Sequence, residues 1–217
     1  MYLDRYFKYP SFIHRLNLLN KYNISNIESL AKNKYKTKFC AAVISNYCNY
    51  TTFRLDFIKK LNEYKHVDIA GKNGINIGKR VEDKIEFLSS YKFSISMENS
   101  NSDGYLSEKI IESLISGTIP IYYGDYLIDE YINPKVYILI KGDNDIKEKI
   151  DYIKKIDKDD KLYLSILKEQ IFLNDNYTNI IKKVQNDRIN FWNNIFSREL
   201  LKIKRVDDIN NDYKCYL

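Results

Sequence analysis

The sequence predicts an α/β fold, a parallel sheet with helices on both faces, followed by a helical tail. Two observations carry this reading. From about residue 38 to residue 157, runs of strand length alternate with helical patterns, an order that implies right-handed crossovers between parallel strands. From Lys158 onward the pattern is polar and helical, with apolar blocks at Leu162, Leu164, Ile166 and Leu167 and again at Ile180, Ile181, Val184, Phe191, Trp192, Ile195 and Phe196.

Each element follows from its residues. The first strand, Phe39 to Ser45, is an apolar run around Cys40, and a helix over Thr52 to Tyr64 follows it. A strand over His66 to Ala70 and a helix over Val81 to Tyr91 come next. Lys92 to Met97 alternates apolar and small polar residues and stops at Glu98-Asn99, as a strand does at a functional edge. Asn99 to Gly104 consists of turn formers. A helix over Leu106 to Ser116, capped by Ser107 or Asp103, carries Ile110, Ile111, Leu114 and Ile115 at helical spacing until Gly117 stops it. Strands over Thr118 to Tyr123 and Val136 to Ile140 and a helix over Ile146 to Ile156 complete a Rossmann-like domain. Residues 38–157 form that domain, residues 1–37 precede it, and residues 158–217 are expected to pack on it as helices.

The 217 residues are 44% hydrophobic and 14% aromatic, enough for one domain with a real core. A net charge of +6 spread over mixed-sign segments lacks the basic stripe of a nucleic-acid binder, so no nucleic acid is expected, and it suits an anionic ligand. No run has transmembrane length and the N-terminus lacks a signal-peptide core, so the chain is expected to be soluble. Cys40, Cys48 and Cys215 are odd in number and without metal-ligand spacing, which predicts free thiols in a reducing cytoplasm. His14 and His66 stand apart from any carboxylate cluster and receive no role.

The stretch from Tyr91 to Gly124 carries the chemistry. In open α/β sheets ligands bind outside the carboxyl ends of the strands, where backbone donors are free. A diphosphate suits such an edge. Lys109, in the first turn of its helix, opposes the helix dipole unless an anion lies between them, whereas Glu108 in the same turn is by itself an ordinary dipole partner. Arg54, on the helix after Ser45-Asn46, offers a bidentate fork to a phosphate, although an arginine there is by type more often a surface residue. The loop after Gly71, with Lys72 and Asn73, lacks the Gly-Lys-Ser/Thr ending of a P-loop and reads as a plain connection. Asp129-Glu130 reads as a solvated pair.

Met97-Glu98-Asn99-Ser100, Gly104-Tyr105-Leu106-Ser107-Glu108-Lys109-Ile110 and Ile119-Pro120-Ile121-Tyr122-Tyr123-Gly124 together resemble the donor-binding signature of the α1,3-fucosyltransferases, glycosyltransferase family 10. The resemblance extends through Phe39 to Asn46, Val67 to Asn73, Lys84 to Phe93 and Ile132 to Lys135. It implies the donor lobe of a two-lobed GT-B transferase that binds GDP-fucose and moves fucose with inversion onto a glycan hydroxyl, in α1,3 linkage. Arg54, Asn46, Glu98, Asn99, Tyr105 and Lys109 are the donor-binding residues it implies, with Arg54 and Lys109 on the phosphates, and Glu108 is the catalytic carboxylate near the anomeric carbon. It implies no metal and no cofactor beyond the donor. The acceptor it implies is a glycan or a molecule of lipopolysaccharide type, with peripheral membrane association open through that acceptor. The family's acceptor lobe supplies a general-base glutamate. Here Asp4 to Pro10 resembles only the end of that lobe, which keeps two alternatives open: a transferase for another nucleotide sugar, or a non-catalytic nucleotide-sugar-binding domain. Arg54→Ala and Lys109→Ala are expected to weaken GDP binding while barely moving the melting temperature.

Overall fold

The computed structural model describes residues 11, 26–31, 36–44, 52–71, 76–77, 81–100, 105–173 and 177–197. The chain divides into two units, Pro10–Tyr177 and Met1–Tyr9 with Thr178–Leu217. The first contains a five-stranded sheet built from β1 (Lys38–Val43), β2 (Val67–Ala70), β3 (Tyr91–Met97), β4 (Ile119–Tyr123) and β5 (Ile138–Leu139). Their order is β2-β1-β3-β4-β5 and every pairing is parallel. Cys40 sits opposite Val67 on one side and Phe93 on the other, and Ile95 sits opposite Ile121. The chain moves outward from β1 to β2 and then returns to β3 on the other side. The reversal makes β1/β3 the topological switch point.

The helices of this unit are α1 (Ile27–Leu30), α2 (Thr52–Asn62), α3 (Lys84–Leu88), α4 (Lys109–Ile115), α5 (Ile146–Lys158) and α6 (Asp160–Lys168). Strand β3 is the centre of the core. Phe93 and Met97 are fully buried, and so are Ser94 and Ser96, whose hydroxyls pair with Thr118 Oγ1 at 2.6 Å and Ser113 Oγ at 2.5 Å. The alternation of apolar and small polar residues therefore marks two covered faces rather than one wet face, because a parallel sheet is buried on both sides. In α4, Ile110, Ile111, Leu114 and Ile115 are buried as their spacing predicts. Gly117 ends that helix at φ 71°, and a Cβ there would lie 2.7 Å from Ala31 Cα, so glycine serves both the left-handed turn and the close passage of α1.

Several boundaries differ from the sequence reading. The helix expected over Val81 to Tyr91 is only Lys84–Leu88: Asp83 caps it by accepting from Glu86 N at 3.0 Å, and Tyr91 already belongs to β3. The helix expected from Leu106 begins at Lys109; of the two proposed caps Asp103 lies outside the described residues, and Ser107, whose hydroxyl donates to Glu98, also accepts from Lys109 N at 3.4 Å. The strand expected over Val136 to Ile140 opens as a 3-10 turn, Pro134–Val136, because proline fixes φ and Asn133 Oδ1 accepts from Lys135 N at 3.0 Å; β5 is what remains. Helix α2 stops at Asn62, whose side chain accepts from Val67 N at 2.8 Å. Asp129 and Glu130 are exposed as expected, with Asp129 also accepting the Tyr137 hydroxyl.

At the amino-terminal ends of β2 and β3, Asp157 from the last turn of α5 is 7% exposed and accepts from Lys65 Nζ at 2.5 Å and Tyr64 OH at 2.9 Å, with Lys92 Nζ at 3.4 Å. Burial alone would raise its carboxyl; the bonds from Lys65 and Tyr64 and the charge of Lys92 outweigh that and hold it below the ordinary carboxylate range. Cys40 is buried, unbonded to another cysteine, and its thiol is pushed up by burial and by Asp68. Cys48, Cys215 and His14 lie outside the described residues, and His66 is exposed beside Asp68. In the second unit the described residues are 178–197, which belong to α7 (Tyr177–Ser197), a helix with Trp192 stacked on Phe196. Among the described residues no helix is long and apolar enough to cross a membrane.

Candidate functional site

The carboxyl ends of β1 and β3 and the segments that follow them enclose a cleft of about 330 Å³. Val43 and Ile44 form its apolar floor, and Arg54, Asn99, Tyr105, Glu108 and Lys109 line it together with Lys84, Ser107 and Glu112. It lies at the switch point. This is where doubly wound sheets bind ligands, because the helices after the two central strands depart to opposite sides and leave a crevice between their starts.

Arg54 comes from the first turn of α2, 5% exposed, and its Nη1 lies 3.4 Å from both Met97 O and Asn99 Oδ1. Its neighbour Phe53 rests on Tyr123, ring centroids 4.3 Å apart, which fixes the turn against the end of β4. Tyr105 stands at the rim, 42% exposed. The next residue, Leu106, is tied down through its carbonyl, which accepts both the backbone N–H and the hydroxyl of Ser11 at 2.9 Å. Glu108 precedes the first residue of α4 and makes no side-chain cap bond, so its carboxylate is not spent on the helix end.

Glu98 sits beneath Lys109 with its side chain wholly buried. Its Oε1 accepts from Ser107 N at 2.8 Å, and its Oε2 accepts from Ser107 Oγ and from Lys109 Nζ, both at 2.6 Å. The Glu98 backbone N–H donates to Tyr123 O at 2.7 Å, and a Cβ on Gly124 would come within 2.7 Å of Glu98 Cγ, so only glycine lets β4 pass so close. One turn further along α4, the buried Glu112 pairs with Lys84 at 2.7 Å.

The structure thus brings Arg54, Asn99, Tyr105, Glu108 and Lys109 to one cleft and puts Glu98 under it rather than on its surface. Asn46, like Lys72 and Asn73, lies outside the described residues. Sequence reasoning missed Ser107 as a site residue and missed Lys84 and Glu112. Ser107 carried a signal, its place between Tyr105 and Glu108; the Lys84–Glu112 pair, 28 residues apart, carried none. Among the described residues no three His, Cys, Asp or Glu side chains converge to hold a metal ion. The cleft offers the cations Arg54 and Lys109 from two different elements, with Tyr105 at its rim and Glu108 in its lining.

Comparison with known proteins gives the same direction. Residues 33–188 match the sequence pattern of "Glycosyltransferase family 10 (fucosyltransferase) C-term". The chain is 37% identical over 134 residues to the α-(1,3)-fucosyltransferase FucT of Helicobacter pylori, a match covering 62% of this chain and 28% of that protein. It is 26% identical over 169 residues to GDP-fucose protein O-fucosyltransferase 3 of Xenopus tropicalis, covering 72% and 36%. Its fold superposes on a crystal structure of an α1,3-fucosyltransferase with GDP-fucose with a TM-score of 0.62 and 31% identity, covering 74% of this chain and 48% of that one. The chain thus spans less than half the length of each of these relatives. The parallel sheet, the cleft at its switch point and the match over residues 33–188 agree, and the chain belongs to glycosyltransferase family 10, the fucosyltransferases, through that family's C-terminal domain.

Proposed function

We propose that residues 38–157 are the donor-binding domain of a fucosyltransferase that takes GDP-fucose and transfers fucose with inversion to a glycan hydroxyl. One observation carries the reading: Arg54 and Lys109, from the segments after β1 and after β3, line the same switch-point cleft, so two cations face one crevice from different elements. The diphosphate lies between them, held by charge-assisted hydrogen bonds. Asn99 extends the same wall beside Arg54, with Asn46 as a further donor contact. Tyr105 and Glu108 at the mouth take the ribose and the sugar.

In the transfer step the acceptor hydroxyl attacks the anomeric carbon from the face opposite GDP. The new carbon–oxygen bond forms as the bond to the diphosphate breaks, and the hydroxyl proton passes to a general base. Charge on the sugar ring grows positive in that step. A carboxylate at Glu108, unspent on the helix cap, meets that charge, and Arg54 and Lys109 meet the negative charge growing on the leaving diphosphate. The acceptor is a glycan of lipopolysaccharide type reached at a membrane surface, and the buried free thiol of Cys40 fits a cytoplasmic setting.

Calorimetric titration with GDP, GDP-fucose, GDP-mannose and UDP-galactose tests this. Both GDP and GDP-fucose bind, UDP-galactose binds far more weakly, and Arg54→Ala weakens the binding of GDP and GDP-fucose alike. Preference for GDP-mannose redirects the chain to another sugar, and no nucleotide binding at all removes the reading.

A further inference from the structure

Glu98 has the geometry of a residue that works through another. Its side chain is wholly buried, so no donor atom reaches it without dismantling the end of β3. Both oxygens are used: one by the Ser107 N–H at 2.8 Å, the other by the Ser107 hydroxyl and the Lys109 ammonium, each at 2.6 Å. The Lys109 ammonium also donates to Ser107 Oγ at 3.1 Å. An ammonium has three N–H donors. Glu98 and Ser107 take two of them, and Lys109 lines the cleft with a side chain 18% exposed, which leaves one donor for whatever the cleft holds.

We infer that Glu98 is a positioning residue: together with Ser107 it fixes the Lys109 ammonium so that a single N–H is aimed at a phosphate oxygen, and it does not itself touch the donor. This inference rests on the proposed diphosphate site. A free lysine would sample many rotamers and lose that freedom on binding. Here the bonds to Glu98 and Ser107 hold the ammonium in one place, so the ligand meets a fixed cation. A buried lysine–carboxylate pair is costly to dehydrate, and its retention at this place is consistent with a gain in orientation rather than in stability.

A double-mutant cycle decides it. GDP affinity is measured by calorimetry for the wild type, Glu98→Gln, Lys109→Ala and the double variant. Glu98→Gln keeps the size of the side chain but replaces one acceptor with an amide donor facing Lys109, and it weakens GDP binding roughly tenfold. In the Lys109→Ala background the same change has no further effect on GDP affinity, because there is no ammonium left to aim. Fold-changes that multiply in the double variant would mean that Glu98 acts on the donor directly and would overturn the inference; so would tighter GDP binding by Glu98→Gln. Ser107→Ala, placed in the same cycle, provides the second reading if Glu98→Gln does not fold, with the same dependence on Lys109 expected and independence fatal to the inference. The melting temperatures of the four proteins report the Glu98–Lys109 coupling without any ligand. Coupled melting with a wild type that binds no GDP therefore brings down the diphosphate reading, while uncoupled melting with GDP bound brings down the positioning role.

Discussion

Removing the Lys109 ammonium leaves a carboxylate stranded in the core, and its stability cost can be worked from the structure. Lys109→Ala deletes the ion pair to Glu98, whose side chain is wholly buried. Breaking a buried pair from one side costs about 3–5 kcal/mol. The two bonds from Ser107 to Glu98 remain and still serve the carboxylate, which brings the expected cost to the low end, about 3 kcal/mol. For a domain of this size that corresponds to a fall in Tm of about 6–12 °C. The sequence reading, which took Lys109 for a cation with no structural duty, expects almost none. Circular dichroism melting measures it, and Glu98→Gln in the same chain should recover part of the loss. A Lys109→Ala protein melting within about 2 °C of the wild type refutes the reasoning.

Further tests address the other features. Asp157→Asn removes the carboxylate shared by Lys65, Tyr64 and Lys92 and is expected to cost about 2 kcal/mol at neutral pH by chemical denaturation. Because the folded-state pKa is depressed, that stabilisation is fully present above the unfolded value of 3.8 and is lost as pH falls through the lower folded value, so the gap between wild type and variant should close in acid; a gap independent of pH contradicts it. Gly71→Ala would put a Cβ 1.8 Å from Ile44 O and should destabilise by at least about 2 kcal/mol, with an unchanged Tm as the contrary result. Glu108→Gln, in a polypeptide that joins this chain to an acceptor-binding lobe, should slow single-turnover transfer about 100-fold while costing under about 1 kcal/mol of stability, and transfer at the wild-type rate would reduce Glu108 to a dipole partner.

The order of strands and helices was legible because Phe39 to Val43, Lys92 to Met97 and Thr118 to Tyr123 have strand length and apolar content, and because Ile110, Ile111, Leu114 and Ile115 repeat at helical spacing. The convergence of Arg54 with the Tyr105-to-Lys109 segment was also legible, since parallel topology carries both segments to the same edge of the sheet. What was not legible depends on contacts distant in sequence. Helix α4 starts at Lys109, after Ser107 has turned its N–H and hydroxyl to Glu98, a partner nine residues earlier in the chain. Lys109 reads as a free cation until Glu98 is seen beneath it, and Asp157 looks like a surface charge on an amphipathic helix until Lys65 and Lys92 close over it. Local pattern shows which face of a helix turns inward, but it does not show which charges meet once it has turned.

The switch-point cleft is the proposed donor site. A crystal structure of this chain with GDP tests this, because the larger groove of about 600 Å³ between α2 and α5 also presents lysines, Lys60, Lys147 and Lys154, although Glu63, Asp143 and Asp151 line it with them. The diphosphate should lie between Arg54 and Lys109, with Lys109 still on Glu98. Density for GDP in the α2–α5 groove, or in the cleft with its phosphates away from both Arg54 and Lys109, would contradict it.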